Sequence, residues 1–279
     1  MSADESRDEA SERRIAVLGG GNIGQALARG WARSGARRPA EITVTRRRVE
    51  RLDSLASEGF RVTDDNRAAV EGARTVVLAV QPQQLVDLLE EIRPALDPSR
   101  HLLVSVVSDV AIGEIRDRAQ APVQVVRAMP NTAIAIGESM TCLAAAEGAD
   151  DALAEARRLF DAVGETLVIH EDLMVAATAL VACGVAFFLR AIRAASQGGI
   201  EIGFHPEEAI TLAAQTARGA AGLVQREGGH PESEVDKVTT PRGCTIAGLN
   251  EMEHQGFSSA LIKGITVSAR KAAELYQTD

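Results

Sequence analysis

Residues 14–24 read Arg-Ile-Ala-Val-Leu-Gly-Gly-Gly-Asn-Ile-Gly. A short apolar run ends in glycines, and helical spacing follows at Ile23, Leu27 and Trp31. An apolar run bounded this way predicts a buried strand turning directly into a helix. The pattern Gly19-x-Gly21-x-x-Gly24 sits at that junction, where it has a physical meaning. Gly19 permits the tight turn, Gly21 lets the backbone approach a pyrophosphate, and Gly24 lets helix and strand pack closely. The first amides of the helix, at Asn22, Ile23 and Gly24, then face the phosphates. A βα unit that binds a dinucleotide is the expectation.

The rest of the first half extends this unit. Apolar runs at 42–45, 75–80, 102–107 and 123–126 predict further buried strands, with helical segments between them. Residues 140–145 and 166–169 add two edge strands. Alternating strands and helices predict a parallel, doubly wound α/β sheet of Rossmann type. After about His170 the strand pattern stops. Residues 172–202, 206–227, 243–255 and 257–277 read as helices rich in Ala and Gly, and Pro231 and Pro241 mark breaks. The expected organisation is a polar tail at 1–12, a dinucleotide-binding domain at 13–170 and an all-α domain at 171–279. Leu173 to Leu189 carries no charge. Its seventeen residues sit at the lower limit for a membrane span. A helix buried on all sides, in a domain or dimer core, is preferred.

Composition excludes several classes. Aromatics are 3% of residues, too few for a protein that stacks bases or sugars. The net charge of −9 disfavours nucleic acid and anionic membranes as partners. Cys142, Cys183 and Cys244 are far apart, with no zinc spacing, and no signal-peptide pattern opens the chain. A reduced, metal-free cytoplasmic protein is expected. Only Lys237, Lys263 and Lys271 are lysines among 30 basic residues; the other 27 are Arg. A GC-rich genome or salt adaptation would each produce that bias.

The end of the second strand bears on cofactor choice. NAD-specific folds place an acid there for the ribose hydroxyls. Here the chain reads Thr45-Arg46-Arg47-Arg48. Guanidinium forks suit a 2′-phosphate, so NADPH is the expected cofactor, with NADH possible. In the second half, Val238 to Leu249 reads as a loop entering a helix. There the backbone at Gly243, the Thr245 hydroxyl and the following amides offer an anion site.

Across both halves the chain resembles the pyrroline-5-carboxylate reductase family. The resemblance rests on Gly19–Gly24, Ala79-Val-Gln-Pro-Gln83, Arg127-Ala-Met-Pro-Asn-Thr132, Leu212-Ala-Ala-Gln-Thr216 and Thr239–Leu249, in that order. It implies hydride transfer from NAD(P)H to a protonated cyclic imine, yielding L-proline. Asn66 then matches a residue at the adenosine end of the cofactor. Ala79, Val80, Gln81 and Pro82, with Ala128, Pro130 and Asn131, match segments beside the nicotinamide. Thr240, Arg242, Gly243, Cys244 and Thr245 fall in the substrate loop, and Thr245 matches the threonine that hydrogen-bonds the ring nitrogen. The resemblance further implies a homodimer through the helical domain, and often a decamer. Hydride addition to a protonated imine gives a neutral amine, so no strong general acid is needed. Residues 171–205 contain no lysine, unlike the β-hydroxyacid dehydrogenases, which carry a catalytic lysine on the interdomain helix.

Several positions depart from the family pattern: Gln81, Ser108-Asp109, Val185 and Phe187, Arg242 and Cys244. Two alternatives therefore stay open. One is a paralogue reducing a different cyclic imine carboxylate. The other is an NADP-binding regulatory protein without turnover.

Overall fold

The computed structural model describes residues 13–108 and 110–274. The tail expected at 1–12 and the departure at Asp109 lie outside the described residues. The described chain divides into two units. One comprises residues 13–182 with 269–274, the other Cys183–Ser268.

The first unit is built on an eight-stranded sheet. Its strands are β1 (Ile15–Leu18), β2 (Ile42–Thr45), β3 (Arg61–Thr63), β4 (Thr75–Leu78), β5 (Leu102–Ser105), β6 (Gln124–Met129), β7 (Ser139–Ala145) and β8 (Gly164–Val168). They lie in the order β3-β2-β1-β4-β5-β6-β7-β8. Strands β1 to β6 are mutually parallel, as the alternating pattern predicts. The edge pair departs from it: β7 runs antiparallel to β6, and β8 is parallel to β7. The physical reason is the connection. Residues 130–138 hold only a 3₁₀ turn at Thr132–Ile136, too short for the crossover a parallel return requires. β3 is also new relative to the sequence expectation. It has three residues, too few to show a period.

Every residue of β1, β4 and β5 is buried, because helices cover both sheet faces. On one face α1 (Asn22–Arg33) and α6 (Asp150–Asp161) supply Leu27, Trp31, Leu159 and Phe160 to the core. Trp31 meets Phe160 edge-on at 5.9 Å and donates its indole N–H to the Leu159 carbonyl at 2.8 Å. On the other face lie α3 (Asn66–Glu71), α4 (Pro82–Ile92) and α5 (Ile112–Ala119), with Leu85, Leu89, Ile92 and Ile115 buried. The short α2 (Asp53–Ser57) precedes β3. Residues just beyond 170 stay with this unit. α7 (Met174–Ala177) packs Met174 and Ala177 with Met129, Cys142 and Ala144, and a π-helical turn follows at Thr178–Ala182.

The second unit contains α8 (Gly184–Glu201), α9 (Pro206–Glu227), α10 (Pro231–Lys237), α11 (Cys244–His254) and most of α12 (Phe257–Glu274). α10 is a further element that sequence reading missed. It is a two-turn helix with Pro231 in its first turn and His230 as N-cap. The apolar stretch through α8 is not enclosed within one chain. Only Gly184 and Ser196 of α8 are buried, and Phe188 and Leu189 are 61% and 59% exposed. Burial on all sides within a domain core is therefore not met in the single chain, since among the described residues nothing encloses Phe188 and Leu189.

Candidate functional site

The strand-to-helix turn after β1 is held tightly. The Gly20 amide donates to the Thr45 carbonyl at 2.7 Å, and the Ala79 amide donates to Leu18 at 2.8 Å. These bonds bring the carboxyl ends of β1, β2 and β4 together, where open α/β sheets bind ligands. Gly19 has φ +114°, and a Cβ there would overlap the Ala79 carbonyl. A Cβ at Gly24 would overlap the Gly19 carbonyl. At Gly21 it would meet nothing within 4 Å, so that backbone faces open space. α1 has no side-chain cap and no acid in its first turn. Its leading amides are thus unpaired and its positive end is not neutralised.

Above this turn lies a cleft of about 480 Å³. Its walls include Gly19, Gly21, Thr45, Arg46, Arg47, Asn66, Ala79, Val80 and Gln81, all expected from sequence. Arg46 is fixed there, donating from Nη1 to the Gly20 carbonyl at 2.9 Å. The same carbonyl accepts from Gln25 Nε2 at 3.0 Å. Arg47, Arg48 and Arg51 continue the basic wall. The glycine cradle, the uncapped helix end and the arginines are the donor set that a pyrophosphate and a 2′-phosphate need. The residues present fit a nicotinamide dinucleotide.

Other expected residues sit elsewhere. Asn22, Ile23 and Gly24 form the first turn of α1 and are not among the residues that line the cleft. Pro82 is the first residue of α4, and Gln81 is its N-cap. Ala128, Pro130 and Asn131 stand at the end of β6 and do not line this cleft. The Asn131 side chain accepts from the Ala133 amide at 3.0 Å, capping the 3₁₀ turn. Sequence reasoning missed the fourth wall: Gln84, Asp87, Leu88 and Glu91 of α4. Their spacing of 3, 1 and 3 residues puts them on one helical face, a signal that was available.

In the second unit, Thr240 to Gly243 forms a tight turn, with the Gly243 amide donating to the Thr240 carbonyl at 2.9 Å. Arg242 occupies the left-handed region at φ +61°. Gly243 is the N-cap of α11, again with no side-chain cap and no acid in the first turn. Cys244 and Thr245 open that helix, so their amides are free of helical partners. The loop thus offers a backbone anion site with a hydroxyl beside it.

A half-buried ion pair involves Arg127 of β6. The Arg127 side chain is 6% exposed and donates to Glu171 at 3.1 Å; Glu171 also accepts from the Ile112 amide at 2.7 Å. This carboxylate joins β6, the start of α5 and the approach to α7.

Two family models match the chain. Residues 14–109 match NADP oxidoreductase, coenzyme F420-dependent, and residues 171–275 match pyrroline-5-carboxylate reductase dimerisation. Pyrroline-5-carboxylate reductase 1 of Dictyostelium discoideum is 50% identical over 274 residues, covering 94% of this chain. The chain spans about half the length of that relative, 50%. Reductase 2 of the same organism is 45% identical over 283 residues, covering 96% of this chain and 94% of the relative. A pyrroline-5-carboxylate reductase structure from Coxiella burnetii superposes with a TM-score of 0.85 at 30% identity, over 96% of this chain and 100% of that one. A pyrroline carboxylate reductase from Plasmodium falciparum, solved with NADP bound, shares the fold at a TM-score of 0.85 and 22% identity. It covers 94% of this chain and 97% of that one.

Proposed function

The chain belongs to the pyrroline-5-carboxylate reductase family, and from that premise we propose that it reduces 1-pyrroline-5-carboxylate to L-proline. The observation that carries this reading is the glycine cradle with its arginine wall, on a chain whose second half matches the family's dimerisation model. A reduced nicotinamide supplies the hydride when bound. The protein's share is to bind, orient and exclude water. The free amides of α1 take the pyrophosphate, Thr45 and Asn66 flank the adenosine ribose, and Arg46 and Arg47 take its 2′-phosphate. Ala79 to Pro82 and Ala128 to Asn131 flank the nicotinamide. Thr240 to Thr245 hold the substrate carboxylate with backbone amides, Arg242 adds a charged contact, and the Thr245 hydroxyl bonds the ring nitrogen. Because the imine is already protonated, these contacts position an electrophile and need not deliver a proton.

NADPH is the preferred cofactor in this reading, because the basic wall of Arg46, Arg47, Arg48 and Arg51 suits a 2′-phosphate. The family match over residues 171–275 gives the chain a dimerisation domain. We assign a homodimer to its exposed apolar faces, with a decamer as the further assembly, and place the protein in the cytoplasm, where its three free thiols stay reduced. The deciding assay is purified protein with NADPH and 1-pyrroline-5-carboxylate, followed at the nicotinamide absorbance. Rapid oxidation is expected. Oxidation only with six-membered cyclic imines, or tight NADPH binding without turnover, would falsify the assignment.

A further inference from the structure

Glu91 lies on the α4 wall of the cleft, and nothing in the reductase chemistry calls for a carboxylate there. Its two oxygens accept from Asn66 Nδ2 at 3.0 and 3.1 Å. On the other side of the same amide, Thr45 Oγ1 stands 2.6 Å from Asn66 Oδ1. Thr45 is 2% exposed and closes β2 at the base of the cleft.

The order of donors in this chain is fixed by chemistry. An ionised carboxylate only accepts, so the Asn66 amide must turn its nitrogen toward Glu91. Its oxygen then faces Thr45, and an amide oxygen only accepts, so the Thr45 hydroxyl must donate its single proton to Asn66. Thr45 Oγ1 is left with lone pairs and no proton to offer the cleft. It can accept from a ribose hydroxyl, and it cannot donate to a phosphate.

That matters because of where Thr45 stands. The carboxyl end of the second strand is where dinucleotide folds that take NAD place an acid for the ribose hydroxyls. This chain has no acid there. We propose that Glu91 supplies its effect at one remove, as a positioning residue that makes Thr45 an obligate acceptor for the ribose 2′-hydroxyl. The arginine wall recognises the 2′-phosphate of NADPH, while the Glu91–Asn66–Thr45 relay keeps NADH a usable cofactor.

The proposal rests on the cofactor reading above and is tested by binding rather than turnover. Dissociation constants for NADH and NADPH are measured by fluorescence titration on the wild type, Glu91→Gln, Thr45→Val and the double variant, with thermal melts confirming the fold. A Gln at 91 can offer either amide atom, so the donor order is no longer imposed. The Kd for NADH should rise about three- to tenfold, the span of one neutral hydrogen bond. The Kd for NADPH should stay level or fall, because a carboxylate has left the cleft. Thr45→Val should weaken NADH at least as much, and adding Glu91→Gln to it should raise the Kd for NADH no further, as expected of residues acting through one contact. An unchanged Kd for NADH in Glu91→Gln, or full additivity of the NADH losses in the double variant, overturns the relay alone. A wild type that binds neither dinucleotide overturns the cofactor reading and the relay with it. Should Thr45→Val fail to fold, the surface substitution Glu91→Gln still decides the question.

Discussion

At the scale of the residue, Thr245 in one unit and the pair Arg46 and Arg47 in the other carry the proposed chemistry. Thr245 opens α11 next to unpaired amides, and its hydroxyl is the group proposed to meet the ring nitrogen. Thr245→Ala is expected to lower kcat/KM about tenfold or more with NADPH affinity unchanged, since only a contact to the reacting ring is lost. Steady-state kinetics in both substrates would show it; unchanged kinetics remove Thr245 from the role. Arg46 and Arg47 face the cleft instead. Charge-assisted bonds to a 2′-phosphate are stronger than neutral ones. The Arg46→Ala/Arg47→Ala double variant should therefore raise KM for NADPH by about 10- to 100-fold, with KM for NADH within about threefold. Equal losses for both cofactors would mean that the arginines support the glycine turn and do not read the phosphate.

At the scale of the element, Glu41 anchors the start of β2, the strand whose far end carries Thr45 and Arg46. It is 5% exposed. Burial alone would raise its pKa. The Arg38 amide at 2.7 Å, the Arg38 side chain and Arg13 outweigh that and hold the carboxyl at about 2, down from 4.5. A depressed acid pKa stabilises the fold above its unfolded value and stops doing so as pH falls through the folded value. The contribution is thus complete above about pH 4.5 and lost toward pH 2. Glu41→Gln should cost about 2 kcal/mol at pH 7, less than the full shift implies because Arg13 and Arg38 are themselves exposed. Denaturant melts across pH should show the gap closing below pH 4.5. Elements like β2 were legible because four apolar-patterned residues flanked by turns leave a clear trace. β3 was not legible, because Arg61–Thr63 is shorter than any period. The reversed β7 was not legible either, since strand direction is set by the short 130–138 connection and leaves no mark in the strand itself. The same split holds for the cleft. The glycine turn is contiguous in sequence and reads directly. The Gln84–Glu91 wall comes from a helix whose cleft-facing side chains are apart in sequence and become neighbours only when α4 packs on the sheet.

At the scale of the whole molecule, apolar surface stands exposed on the helical unit. Residues Glu171–Glu201 form a helical stretch long and apolar enough to cross a membrane, yet only 28% of its most apolar window is buried. Phe188 and Leu189 on α8 and Leu212 on α9 are 61%, 59% and 49% exposed. Surface of this kind on a protein in water marks an interface. The pyrroline-5-carboxylate reductase dimerisation model covers the stretch, so a second copy is the expected cover. Burying each of these side chains contributes about 1.5–3 kcal/mol, and a twofold interface uses every one twice. Wild-type protein should therefore run as a dimer or a multiple of it in light scattering, with a Tm that rises with protein concentration. Phe188→Asp with Leu189→Asp places two charges per chain on that face. The expected product is a monomer of lower Tm whose melting no longer depends on concentration. If the double variant keeps its wild-type mass, the interface lies elsewhere. If the wild type sediments with lipid vesicles and stays monomeric in their absence, the stretch is a membrane contact and the dimer assignment is wrong.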